Sequence, residues 1–252
     1  MGKIKVKRKS TLIDMTAMSD VTVLLLTFFM LTSTFLQKEP VQVITPPSVA
    51  TDKVPTSNVA QILVATDDKE NPKVFLSFFG EADPDYPEAD ENNPDIYPGM
   101  YASEPLRKEI AKQAVKEYES ITGDKLGMTE ADYDNFSKIG SFGVPFKQLK
   151  EFVNDSKQDE FMKEHANDAL TGIPLKPLKG SEFNELQIWL RALRSAASPR
   201  LADAIKKDGT GLAVKADRDT KFSKINEVLE SMRNIKMNKF TVMTALAAES
   251  EE

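Results

Sequence analysis

Met15 to Leu36 reads MTAMSDVTVLLLTFFMLTSTFL. As a helix these 22 residues would extend about 33 Å, enough to cross a hydrocarbon core of about 30 Å. Lys3, Lys5, Lys7, Arg8 and Lys9 precede the segment within residues 1–12, which hold no acid, and Lys38 and Glu39 follow it. This excess of Lys and Arg before the segment predicts a cytoplasmic N-terminus. The competing reading is a cleaved signal peptide, which needs a short apolar core and a small-x-small cleavage site. Here the apolar part ends in Phe35-Leu36-Gln37. The sequence therefore predicts a basic cytoplasmic head over 1–14, an uncleaved transmembrane helix over 15–36, and the bulk of the chain on the far side.

Asp20 is the informative residue of that segment. An acid inside a spanning helix costs about 2.5–3.5 kcal/mol on insertion scales, so it should face protein or water rather than lipid. Thr16, Asp20, Thr27 and Thr34 are offset by 4, 7 and 7 residues and, at about 100° per residue, form one polar stripe. The rest of the surface is Val, Leu, Phe and Met. A single stripe in lipid calls for partner helices that cover it. The plainer reading is that Asp20 snorkels to the interface while the threonines bond back to their own helix. The residues alone leave both open.

The rest of the chain is acidic. The net charge is −6, although residues 1–12 contribute only bases. A basic head, an apolar segment and an acidic body argue against a nucleic-acid binder, whose bases should cluster on the folded part. With no cysteine there is neither disulfide nor thiolate chemistry. The one histidine, His165, leaves no second imidazole for a zinc site, and it reads as a solvated surface residue. No Gly-rich phosphate loop and no nucleophile–base pattern occurs, so an enzyme is not expected.

Residues 37–58 contain Pro40, Pro46, Pro47 and Pro55 and read as an extended linker, within which Val41, Gln42, Val43, Ile44 and Thr45 have strand character. From about 59 to 245 the pattern predicts an α+β domain. AQILVAT (60–66) and KVFLSFF (73–79) flank a polar turn and predict a hairpin. A strand over 211–217, a helix over 220–233 and a strand over 239–245 follow late in the chain. In that helix Phe222, Ile225, Val228, Leu229 and Met232 recur at 3–4 spacing and predict one buried face. Trp189 falls in another helical pattern with Phe183, Leu186, Leu190 and Leu193, and reads as core. Between about 81 and 180 lies a predicted helical insertion. It opens with EADPDYPEADENNPD, seven acids and three prolines without a base, which reads as a loop. Clustered carboxylates raise calcium as an idea, but the EF-hand pattern is absent and no metal is expected. Helices are predicted near 104–120, 129–139, 146–153 and 156–170. Residues 246–252, which end in AAESEE, read as a frayed acidic tail.

Two stretches carry a family resemblance. Ile13-Asp14-Met15-Thr16-Ala17-Met18-Ser19-Asp20-Val21, with the apolar run after it, resembles the transmembrane signature of the ExbD/TolR biopolymer transport family. Ala17 stands where that family usually has Pro, and Ser19 where it usually has an aliphatic residue. The late strand–helix–strand segment, from Gly211-Leu-Ala-Val-Lys-Ala-Asp217 to Lys239-Phe-Thr-Val-Met-Thr244, is similar to the family's C-terminal unit. Together with 41–46 and 60–79 these matches cover under half of the chain; the insertion is material that compact members lack.

The resemblance implies a role for each part. Asp20 corresponds to the family's proton-carrying residue, with protons as the coupling ion and no cofactor. Two such helices would sit inside a ring of ExbB-like polytopic membrane subunits in the bacterial inner membrane. The body would be periplasmic, and residues 41–45 could add a strand to the sheet of a second copy. The motion would pass to a TonB-like transducer. A TolR-like role in envelope maintenance and a passive membrane-anchored binding protein are the alternatives.

Overall fold

Val59 to Thr66 reads VAQILVAT, and every residue from 59 to 65 is buried. A near-continuous apolar run marks a strand covered on both faces, not a half-exposed one. It is the central strand of the body. The structure, a computed structural model, describes residues 15–32, 43–48, 59–66, 72–79, 104–155, 161, 172–197, 205, 209 and 211–246. The chain divides into two units, Met1–Lys38 and Glu39–Glu252.

The first unit contains helix α1, Met15–Thr32. Its 18 described residues span about 27 Å, against a hydrocarbon core of about 30 Å. Among the described residues no helix is long and apolar enough to cross a membrane. Residues 33–36, the last turn of the predicted span, lie outside the described residues.

The second unit is a mixed α/β domain built on a five-stranded sheet. It contains strands β1 (Pro47–Ser48), β2 (Val59–Thr66), β3 (Pro72–Phe79), β4 (Ser141–Phe142), β5 (Leu212–Ala216), β6 (Thr241–Met243) and β7 (Ala245–Leu246) and helices α2 (Glu104–Thr122), α3 (Glu130–Ser137), α4 (Phe146–Asn154), α5 (Glu185–Ala196) and α6 (Phe222–Asn234). The sheet order is β4-β3-β2-β5-β6. β2 and β3 form the predicted hairpin, antiparallel with Ile62 opposite Leu76. β5 lies parallel to β2, and β6 parallel to β5, with α6 as the crossover between them. The predicted strand–helix–strand unit is therefore present.

Three expectations change. The predicted strand over 239–245 divides: Thr241–Met243 completes the five-stranded sheet, while Ala245–Leu246 pairs in parallel with Pro47–Ser48. Phe222, placed on the buried face of α6 from its spacing, is 72% exposed. It is the first residue of the helix, and burial starts further along, at Val228, Ser231 and Met232. The predicted insertion also contributes a strand. β4 pairs with β3, and the Ser77 and Ser141 hydroxyls meet at 2.5 Å. Phe78 N donates to Gly140 O at 2.7 Å. Gly143 follows, where a Cβ would come within 2.1 Å of the Phe75 ring; only glycine allows that approach.

The helices of the insertion share the core of the sheet. The Trp189 ring lies between Phe136 and Phe146, with centroids 5.6 and 4.9 Å away and planes within 10° and 3°. Phe146 stacks in turn on Tyr118 at 4.6 Å, and Phe142 bridges Trp189 to Phe78. Trp189 is 1% exposed, as its reading as core required. α4 buries Phe146, Leu149, Phe152 and Val153, a spacing of 3, 3 and 1 that turns one helical face inward. α3 starts at a capping box in which Thr129 and Asp132 each bond the other's backbone N–H. Burial pushes the Asp132 carboxyl up, but hydrogen bonds from the Thr129 backbone and the Asn154 amide outweigh it and hold the group below its usual range.

Candidate functional site

On α1 the side chains of Thr16, Asp20 and Thr27 are all exposed. At 100° per residue they fall within about 40° of one another around the axis. Ser19 and Val23 flank them, and Thr16, Ser19, Asp20 and Val23 line one open concavity of about 520 Å³. Thr34, the fourth residue of the predicted stripe, lies outside the described residues, as does Asp14.

Four hydroxyls on this helix are turned to its own backbone. Ser19 Oγ donates to Thr16 O at 2.8 Å, Thr22 Oγ1 to Ser19 O at 2.8 Å, Thr27 Oγ1 to Leu24 O at 2.9 Å and Thr32 Oγ1 to Phe28 O at 2.8 Å. Such back-bonding satisfies a hydroxyl without water and leaves its oxygen lone pairs available. Asp20 is thus the one ionisable side chain of the described helix. It stands among small polar neighbours, with Val21, Leu24, Leu25, Phe28 and Phe29 exposed around the rest of the surface. Ser19 was seen in the sequence only as a departure from a motif; its place beside Asp20 follows from the spacing of adjacent residues on a helix.

The linker segment is tied to the body. Ile44 N donates to Asp217 Oδ1 at 3.0 Å, and Arg218 N donates to Ile44 O at 2.7 Å. Val43 to Pro46 is not a strand; the two-residue β1 falls just after it, at Pro47–Ser48. Both hydrogen-bonding groups of Ile44 are spent on the Asp217–Arg218 corner, and Pro46 and Pro47 have no N–H to give to a ladder. Val41 and Gln42 lie outside the described residues, so residues 41 and 42 of the predicted strand-addition segment are not placed.

On the body, Gln113, Lys116, Glu117, Ser120 and Ile121 of α2 face Phe183 and Arg191 across an open concavity of about 450 Å³. Arg191 lies 4.5 Å above the Phe183 ring and pairs with Glu117 at 2.9 Å. Burial raises the Glu117 carboxyl, while Arg191 and Arg194 pull it back. This constellation fastens α2 to α5. Among the described residues no group of His, Asp and Glu is arranged to hold a metal ion. His165 and the acidic stretch 81–95 lie outside the described residues.

Compared with known families, residues 6–247 match the sequence model described as biopolymer transport protein ExbD/TolR. The match therefore runs through α1 and on to the end of the body, well beyond the two motifs that first carried the resemblance. Searches of curated proteins and of solved structures return no match.

Proposed function

Because this chain belongs to the ExbD/TolR biopolymer transport family, we propose that it is the motor subunit that takes up protons to energise transport across the cell envelope. The observation that carries this reading is Asp20, an ionisable group on the polar face of an otherwise apolar helix, which the resemblance of residues 13–21 would set at the family's aspartate. In this reading residues 15–36 form a single membrane pass, with the N-terminus in the cytoplasm and the body outside.

The chemistry needs a carboxyl that alternates between neutral and charged forms. A proton taken from the outer side neutralises Asp20, and its release to the inner side restores the charge. One elementary charge moved through the full membrane potential yields about 2.3 kcal/mol per 100 mV. A group whose charge alternates while its surroundings stay fixed experiences an alternating force, which can turn the helix pair within a surrounding ring. The back-bonded hydroxyls of Ser19 and Thr27 give that face polar lining without adding a second charge. The protein is a coupling element, not an enzyme, and needs no cofactor beyond the proton.

The partners in this reading are ExbB-like ring subunits, a second copy of the chain and a TonB-like transducer. Purification in mild detergent tests them. A polytopic membrane protein recovered in stable stoichiometric amount supports the motor; its absence leaves a passive anchor. Recovery of a TonB-like or a TolA-like protein separates outer-membrane transport from envelope maintenance.

A further inference from the structure

Glu185 is the first residue of α5 and is 5% exposed. Its Oε2 accepts the N–H of Phe146 at 2.8 Å, across 39 residues of chain. Phe146 opens α4, whose N-cap is Pro145 and supplies no side-chain cap. The carboxyl group of one helix therefore caps the next. Among the described residues no cation forms an ion pair with Glu185. Lys147 of α4 acts on it through space, with its amine 3.5 Å from Asp124 instead. From α2 the facing group is the Tyr118 phenol, which also feels Asp124. Behind the carboxylate stands the aromatic stack of Tyr118, Phe146 and Trp189.

A buried carboxylate needs several hydrogen bonds or a paired cation to remain charged. Glu185 has one backbone N–H and the N-terminal end of its own helix, which offset part of that cost. Among the described residues the Phe146 N–H is the one hydrogen bond the structure gives to the Glu185 carboxyl, and the Phe146 and Trp189 rings beside it are apolar. The neutral acid fits this site better than the carboxylate does. To hydrate the charge, the start of α4 must move away, because buried Phe146, whose N–H sits on the carboxyl, closes the site on that side.

We propose that Glu185 is a proton-operated latch that holds the first turn of α4 against α2 and α5 when neutral and loosens it when ionised. Burial pushes its carboxyl up to about 7, against the pull of the Phe146 N–H and of Lys147. The latch thus works in the neutral range, on a part of the molecule far in sequence from Asp20, and it holds whether or not the motor reading does. It would set the rigidity of the inserted helices by the pH of the compartment that holds the body.

The lone tryptophan of the chain reports it directly, since Trp189 stacks on Phe146 and follows Glu185 by one helical turn. The full-length chain in detergent micelles should show a transition in tryptophan emission between pH 5 and 9, with its midpoint near 7. E185Q keeps an acceptor for Phe146 N–H but no titrating proton, and should lose the transition. H165Q removes the only histidine and should keep it. A wild-type emission flat across that range overturns the proposal, as does a transition that survives E185Q or vanishes in H165Q. Should E185Q fail to fold, K147M decides. Removing the facing cation should move the midpoint upward, and an unmoved midpoint overturns the latch.

Discussion

The Asn184 side-chain amide donates to the Ser231 hydroxyl at 2.9 Å and fastens the start of α5 to the C-terminal part of α6. The same residue caps its own helix: its carbonyl oxygen accepts from Gln187 N, and Gln187 Oε1 accepts from Asn184 N. Gln187 Nε2 then donates to Ser231 O. One buried polar knot therefore serves as a helix cap and as the joint between the insertion side of the domain and the C-terminal crossover.

Replacement of Asn184 by Ala removes the cap and leaves buried partners unsatisfied. The expected loss is about 1–3 kcal/mol, read from the denaturant midpoint of the full-length chain. S231A removes only one of these bonds and should cost less. Equal losses would mean that capping contributes nothing.

Gly143 meets the Phe75 ring so closely that any side chain must displace it. Gly143→Ala should destabilise the domain by about 1–3 kcal/mol, as overpacking does, and lower the thermal midpoint. An unchanged midpoint would show that β4 does not lie against the sheet in this way.

Asp132 sets an acid limit. Its folded carboxyl is held below the usual 3.8, so the unfolded chain takes up a proton first as pH falls. Its contribution is fully present above about pH 4 and is lost as pH drops through the folded value. Glu185 has the opposite sign. Its folded carboxyl is raised to about 7, so its contribution is present below about 4.5 and is lost as pH rises through 7. Urea denaturation at pH 3, 5 and 8 should give the greatest stability near pH 5. D132N should flatten the acid limb and E185Q the neutral one.

The hairpin and the crossover were legible because each strand is a β-rich run bounded by turn or linker residues, and because Val228 and Met232 keep helical spacing. α2 to α4 were legible for the same reason. β4 was not, since two residues carry no period, and its pairing with β3 depends on Leu76 and Ser77 more than 60 residues earlier. The division of β6 from β7 at Thr244 is set by two different partners, Lys215 for Met243 and Pro47 for Ala245. Asp20 was readable from its surroundings in sequence. Glu185 was not, because its burial depends on Phe146 and Tyr118, which only the fold brings near.

Orientation has its own test, which the absence of native cysteine makes clean. With a cysteine replacing Ser48, an impermeant thiol reagent should label intact spheroplasts; with one replacing Ser10 it should not. The reverse pattern would invert the topology.

The proposed proton-carrying role of Asp20 is tested most directly by energised uptake in cells whose only copy of the chain carries D20N, with abundance of the assembled complex measured in parallel. Asn keeps the size and hydrogen bonding of the side chain but cannot cycle its charge. The account predicts normal assembly and uptake reduced to the level of de-energised cells. D20E should retain part of the activity, and D14N should be milder, because a sequence offset of six residues at about 100° each corresponds to about 240° on a helix. Full uptake by D20N at normal abundance would contradict the account, since no proton could then be passing through residue 20.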